Sequence, residues 1–167
     1  MKAKKYQFNE KSNEDYANEY VKRVITNRPK VTKATEEIIR QYIPNNSVIL
    51  DIGSGPGILA HLIENIKKGC TIIGVEIDAT FHQANEKIAK NMQKNTFVPI
   101  LGDISKIEYF DRAIDILYLS RSLHEIANDM DLQKKILVSL VQKLSVNGRI
   151  IIIDPYYIEK VSENPEK

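Results

Sequence analysis

The sequence predicts an α/β fold, a parallel sheet flanked by crossover helices, and three observations carry that expectation. From Val48 onward, short aliphatic runs alternate with stretches whose apolar residues recur at helical spacing. The run Val48-Ile49-Leu50-Asp51-Ile52 passes directly into Gly53-Ser54-Gly55-Pro56-Gly57, with glycine at every second position before an amphipathic helical pattern. That is a buried strand turning sharply into a helix over a ligand. Finally, Ile150-Ile151-Ile152-Ile153 is an unbroken run, as expected of a strand buried on both faces.

Each element follows from local signals. Ser12-Asn13-Glu14-Asp15 resembles a capping box, and Tyr16, Ala17, Tyr20, Val21, Val24 and Ile25 share the helical face that follows. Pro29 breaks that helix, and Ile38, Ile39, Tyr42 and Ile43 mark a second, ended by Pro44-Asn45-Asn46. These N-terminal helices, residues 13–43, could pack over the ligand-binding end of the sheet or only cover it. After the glycines, Pro56 suits a first helical turn, Ile58, Leu59, Leu62, Ile63 and Ile66 form the inward stripe, and Gly69 stops the helix.

Residues 71–76 form the second strand, and a helix over 79–93 turns Phe81, Ala84, Ile88 and Met92 inward. Residues 97–101 form the third strand, which Pro99 places at the sheet edge because it lacks a ladder donor. Residues 114–118 form the fourth strand, followed by the polar turn Ser120-Arg121-Ser122. The next helix carries Leu132, Ile136, Leu137, Leu140, Val141 and Leu144 and closes at Asn147-Gly148, before a fifth strand over 149–154. One domain is expected over 1–167, with an α/β core at 47–155 and a short polar tail at 156–167.

With 167 residues, 43% hydrophobic and 28% charged, the chain falls in the ordinary globular class. A domain of this size buries roughly 70% of its unfolded surface. The net charge of +2 leaves a nucleic-acid partner unsupported. Cys70 is the only cysteine, so no internal disulfide and no metal site are expected. No stretch approaches the ~20 apolar residues of a membrane helix, and a soluble cytoplasmic protein is expected.

Ligands of such sheets bind at the carboxyl ends of the strands, where the glycine turn lies. The following helix offers N–H groups to a negatively charged ligand atom. A dinucleotide is one candidate, because Gly55-Pro56-Gly57-Ile58-Leu59-Ala60 fits the G-x-G-x-x-A pattern of NAD-dependent oxidoreductases. That pattern starts two residues late, however, and Asp51 would approach two phosphate charges. Like charges some 4 Å apart cost about 4 kcal/mol at an effective dielectric near 20. A cationic ligand reverses the sign.

Asp51-x-Gly53-x-Gly55-x-Gly57 after one strand, Glu76 closing the next and Gly102-Asp103 after the third together resemble the class I S-adenosylmethionine-dependent methyltransferases, over residues 14–155. The resemblance implies a three-layer Rossmann-like sheet in strand order 3-2-1-4-5, and S-adenosyl-L-methionine as cofactor. It implies that Asp51 and the turn Gly53, Ser54, Gly55 and Gly57 hold the methionine end, with the backbone around Ser120 facing the ammonium. Glu76 would accept both ribose hydroxyls, Asp103 the adenine amino group with Ile104 beside it, and Ile77 would pack on the base. Asp78 competes for the ribose, although capping the helix from Ala79 is its simpler role.

Methyl transfer is an in-line displacement in which the protein mainly supplies position, and a base is needed only if the acceptor must lose a proton. His124 is the candidate base, because an imidazole with an unperturbed pKa of about 6.5 suits proton transfer. It could equally cap or solvate its turn beside Arg121 and Glu125. Tyr156 and Tyr157 could line an acceptor pocket or cover core surface. The segment Leu119-Ser120-Arg121-Ser122 lacks the Asn/Asp-Pro-Pro-aromatic stretch of methyltransferases acting on nucleic-acid base amines, and Asp154-Pro155-Tyr156-Tyr157 follows the wrong strand for it. Ser54 lacks nucleophile-elbow spacing, and His61 and His82 read as surface residues.

The acceptor is therefore expected to be a small molecule. Members of the family continue beyond the fifth strand into a helix and an antiparallel strand pair, which this sequence is expected to lack. An open fifth-strand edge would then invite self-association or a partner protein. The alternative is a methyltransferase-like cofactor-binding subunit that depends on a partner for catalysis.

Overall fold

The computed structural model describes residues 29–106, 113–126 and 129–153. They form a five-stranded parallel sheet in the order β3-β2-β1-β4-β5. The elements are α1 (Pro29–Tyr42), β1 (Val48–Ile52), α2 (Ile58–Ile66), β2 (Thr71–Glu76), α3 (Ala79–Asn91), β3 (Thr96–Leu101), β4 (Ile114–Ser120), α4 (Met130–Val141) and β5 (Leu144–Ile153). Short 3-10 turns cover Ile104–Lys106 and Leu123–Glu125. The chain runs outward from β1 to β3 and then returns to β4 on the other side. The topology therefore reverses between β1 and β4, where α/β sheets bind ligands.

Alternate residues of each strand serve opposite faces, which is why the strand sequences are continuously aliphatic. Ile49, Ile72, Phe97, Ile116 and Tyr118 share one buried cluster with Ile39 and Ile43 of the α1 end and Leu59, Leu62 and Ile63 of α2. Leu50, Ile52, Ile73, Val75, Leu117 and Leu119 share the other with Ile136 and Leu140 of α4. Thus α1 covers the sheet. Pro29 stands at the first position of α1, where a proline's missing N–H is harmless. The helix expected before Pro29 lies outside the described residues.

Boundaries shift where glycine geometry intervenes. α2 begins at Ile58, two residues after Pro56, because Gly57 adopts a left-handed φ of 77° immediately before it. Asp78 caps α3, its Oδ1 accepting the N–H groups of Thr80 at 2.7 Å and Phe81 at 3.2 Å. The helix ends at Asn91 instead of Gln93. β3 lies at an edge and contains Pro99, as expected.

β5 departs furthest from expectation. It starts at Leu144, so Asn147-Gly148 lies within the strand and does not separate it from α4. Ile114 faces Leu144 and Ile116 faces Arg149, so five steps along β5 match two along β4, a bulge. Asp115 ties this bulge to the sheet, Oδ1 accepting the Ser145 hydroxyl at 2.9 Å and Oδ2 the Val48 N–H at 2.9 Å. The isoleucine run is not buried on both faces. Ile151 and Ile153 pack against the α1/α2-side cluster, whereas Ile150 and Ile152 are 41% and 47% exposed. No described strand pairs with the outer edge of β5. No helix among the described residues is long and apolar enough to cross a membrane.

Candidate functional site at the carboxyl ends of the strands

β1 carries Asp51 to the sheet's carboxyl end with Gly74 of β2 and Tyr118 of β4 as register neighbours. Its side chain is only 3% exposed and has no hydrogen-bond or ion-pair partner among the described residues. Glu76, two residues beyond Gly74 on β2, is also buried, but each of its oxygens is occupied. Oε2 accepts the Gly55 N–H at 2.7 Å and Oε1 the Asp78 N–H at 2.8 Å. Burial, and secondarily the Glu76 charge, push the Asp51 carboxyl up to about 8. Burial and the Asp51 charge also raise the Tyr118 phenol well above its ordinary range, against a hydrogen bond from Ser120.

The glycine turn is folded over these acids by its own N–H groups. Gly53 and Ser54 both donate to Val75 O, at 2.9 and 3.1 Å, and Gly57 donates to Ser54 O at 3.0 Å. With Gly55 committed to Glu76, residues 53–57 have no N–H left over, since Pro56 has none. All three glycines have positive φ, yet their surroundings differ. A Cβ on Gly53 would lie 2.6 Å from Ser122 Cβ, and one on Gly57 would lie 2.6 Å from Asn85 Oδ1 and 2.8 Å from Ile88 Cδ1. A Cβ on Gly55 would meet nothing within 4 Å. Gly53 and Gly57 therefore permit internal packing, and Gly55 presents bare backbone to open space.

Two of these neighbours were missed in the sequence. Asn85 of α3 is fully buried and its Nδ2 donates to Ser54 Oγ at 2.9 Å, so the Ser54 hydroxyl is engaged with α3. Asn85 sits between Phe81 and Ile88 on the inward stripe, and a polar residue there was the available signal. Ser122 follows Arg121, which adopts a left-handed φ of 59°, and its Oγ is buried without a partner. A non-glycine residue in that conformation at the end of a central strand is the kind of strain that binding sites store. The serine itself gave no distinguishing pattern.

The remaining expected residues lie around this centre. Ser120 ends β4, and Ile77, directly after Glu76, is 71% exposed. The Gly102 N–H donates to Glu76 O at 2.9 Å, holding the β3 end beside the β2 end. There Asp103 Oδ1 accepts the Ser105 N–H and hydroxyl at 2.9 and 2.7 Å, and Ile104 packs against the α4-side core. The His124 backbone lies in the 3-10 turn Leu123–Glu125, while its side chain, Tyr156 and Tyr157 lie outside what the structure describes. His61 is exposed. His82 is not a surface residue, because its side chain is 17% exposed and its Nδ1 is buried. α3 turns that edge of the ring toward the protein.

The differing surroundings of the glycines give distinct expectations for alanine. Gly55→Ala is expected to cost about 1–2 kcal/mol of left-handed backbone strain. Gly57→Ala adds a collision with Asn85 and Ile88 worth a further 1–3 kcal/mol or so. Urea unfolding giving equal losses for the two would contradict this assignment.

Asp51 also leaves a mark on stability. Above its ordinary value of 3.8 the unfolded chain has released the Asp51 proton, whereas the folded chain keeps it up to about 8. The folded state thus binds the extra proton, and this contribution is lost as pH rises through that window. The stability of the wild type relative to Asp51→Asn should fall between about pH 4 and 8, as followed by urea unfolding. A pH-independent difference would contradict it.

A family model described as "Methyltransferase domain" matches residues 43–167. No curated protein matches the sequence. Among solved structures, YjhP from E. coli is 21% identical with a TM-score of 0.57, over 75% of this chain and 49% of that one. An S-adenosyl-L-homocysteine complex of a methyltransferase from Thiobacillus denitrificans is 20% identical, TM-score 0.56, over 74% and 47% of the two chains. The corresponding complex from Geobacter sulfurreducens gives 20%, 0.56, 74% and 47%. The chain thus spans about half the length of these proteins, with which it shares its fold. Because the family model covers most of the sequence, including every strand and the whole glycine turn, the chain belongs to the methyltransferase-domain family.

Proposed function

We propose that this chain binds S-adenosyl-L-methionine at the carboxyl ends of β1, β2 and β4 and directs methyl transfer to a small-molecule acceptor. The observation that carries the proposal is Asp51, a nearly buried carboxyl without a partner among the described residues, placed directly before a turn in which Gly55 alone offers open backbone. A buried charge needs a counter-charge, and an isolated one costs several kcal/mol. A ligand ammonium supplies it. Family membership and the S-adenosyl-L-homocysteine bound to similar folds support the same ligand.

The other side chains divide the cofactor between them. Glu76 retains acceptor capacity on each oxygen after taking two backbone N–H groups, enough for a pair of ribose hydroxyls. Ile77 offers the exposed apolar surface on which the adenine would lie, with Asp103 and the Ile104 backbone at its amino edge. The backbone at Ser120 and the buried Ser122 hydroxyl flank the ammonium beside Asp51. When bound, the cofactor supplies an already activated methyl group, leaving the chain to orient it and exclude water. His124, whose backbone lies on the turn after β4, is the proposed base for an acceptor that must lose a proton. The outer edge of β5, with which no described strand pairs, is the proposed contact for a second copy or a partner protein.

A dinucleotide fits less well, because residues 53–57 have already committed their N–H groups and a pyrophosphate would face Asp51. Calorimetric titration with S-adenosylmethionine, S-adenosylhomocysteine and NAD is the test, followed by a methyl-release screen over candidate acceptors. Both sulfur compounds are expected to bind and NAD not. Glu76→Ala should weaken S-adenosylhomocysteine about 10- to 150-fold, the worth of one charge-assisted hydrogen bond. Absence of heat with both sulfur compounds would overturn the proposal.

A further inference from the structure

We infer that Asp51 holds a proton in the ligand-free protein and surrenders it when a ligand ammonium docks beside it, coupling cofactor binding to proton release. This deepens the cofactor reading above and rests on it. The geometry distinguishes the two acids of the site. Glu76 accepts one backbone N–H on each oxygen, at 2.7 and 2.8 Å. Asp51 has no donor and no cation among the described residues. Two desolvated carboxyls close enough to influence each other do not both ionise readily, so the proton resides on the one without donors.

Among the described residues, the surroundings of Asp51 offer no other source of compensation. It faces Glu76 from β2 and the phenol of Tyr118 from β4. Residues 53–60, which form the turn and open α2, carry no charged side chain, and Ile39 of α1 and Ile43 just after it lie on the same face. Arg121, the first cation after β4, forms no ion pair with Asp51. Burial and Glu76 push Asp51 up to about 8, so at pH 7 roughly nine molecules in ten carry the proton.

On binding, the Asp51 O–H bond breaks, its proton passes to the buffer, and the carboxylate pairs with the incoming ammonium. One positive charge enters the site and one leaves, and no electrons are transferred. A ligand with the same adenosyl group but no amino acid end, such as 5′-methylthioadenosine, brings no cation and leaves the proton in place. Asp51 thereby selects for the intact amino acid end. Because the proton must be displaced, the Kd for S-adenosylhomocysteine should fall about eightfold from pH 6 to pH 7. A free α-amino group ionises near 7.7–8.0, so the ligand remains mostly an ammonium over that range.

Proton release is measured by titrating S-adenosylhomocysteine into the wild-type chain at pH 7 in two buffers of different ionisation enthalpy. A net release of about 0.8 proton per site is expected, after the small uptake by the neutral fraction of the ligand amine, with essentially none for 5′-methylthioadenosine. Asp51→Asn should bind S-adenosylhomocysteine more weakly and release none. If that variant fails to fold, the comparison of the two ligands on the wild type still decides. Binding of S-adenosylhomocysteine without proton release, or equal release by both ligands, would overturn the inference while leaving the cofactor reading intact. No binding of S-adenosylmethionine or S-adenosylhomocysteine would remove both.

Discussion

A carboxyl buried without a counter-charge among the described residues, at the end of the central strand, is the constraint on which the site depends. β1 lies between β2 and β4, so Asp51 is enclosed on both sides by backbone and below by the cluster that includes Ile49 and Tyr118. The turn then closes over it by donating to Val75 O and Glu76. The result opposes local stability, since two acids share a dry corner and one keeps its proton. Such conflicts between local chemistry and folding are expected where a ligand completes the structure.

The turn is braced from two directions. Asn85 reaches from α3 to the Ser54 hydroxyl and lies against Gly57, and Ser122 presses from the β4 loop against Gly53. Neither contact would fit a side chain larger than hydrogen at those glycines. The two braces fix the flanks of the turn and leave Gly55, anchored through its N–H to Glu76, as the surface a ligand meets. Glu76 thus links the shape of the turn to the site's charge, so its removal should disturb both.

Much of this was legible in the sequence. The strands could be read because both faces of a parallel sheet are buried, and the order 3-2-1-4-5 followed from the family resemblance, with Pro99 marking its edge. Asp78 could be read because capping is local chemistry. The isoleucine run misled because α4 shares its buried cluster with β1, β2 and β4, leaving one face of β5 exposed, which no feature of the run itself encodes. Asn147-Gly148 resembles a terminator but sits in a bulge whose register depends on β4. At the site, Asp51, Glu76 and the glycines stood out as a motif. Their division of labour did not, because Ser122 and Asn85 approach the turn from 69 and 28 residues away, counted from Gly53 and Gly57. That Asp51 has no partner among the described residues likewise depends on what the fold brings near it.

The most direct test is a structure of the chain with S-adenosylhomocysteine bound. The ammonium should lie within hydrogen-bond distance, about 2.7–2.9 Å, of an Asp51 oxygen, with the ribose hydroxyls on Glu76 and the ligand passing over Gly55. A ligand seated elsewhere, or one that leaves the Asp51 carboxyl without a cation, would contradict the assignment of this corner as the cofactor site.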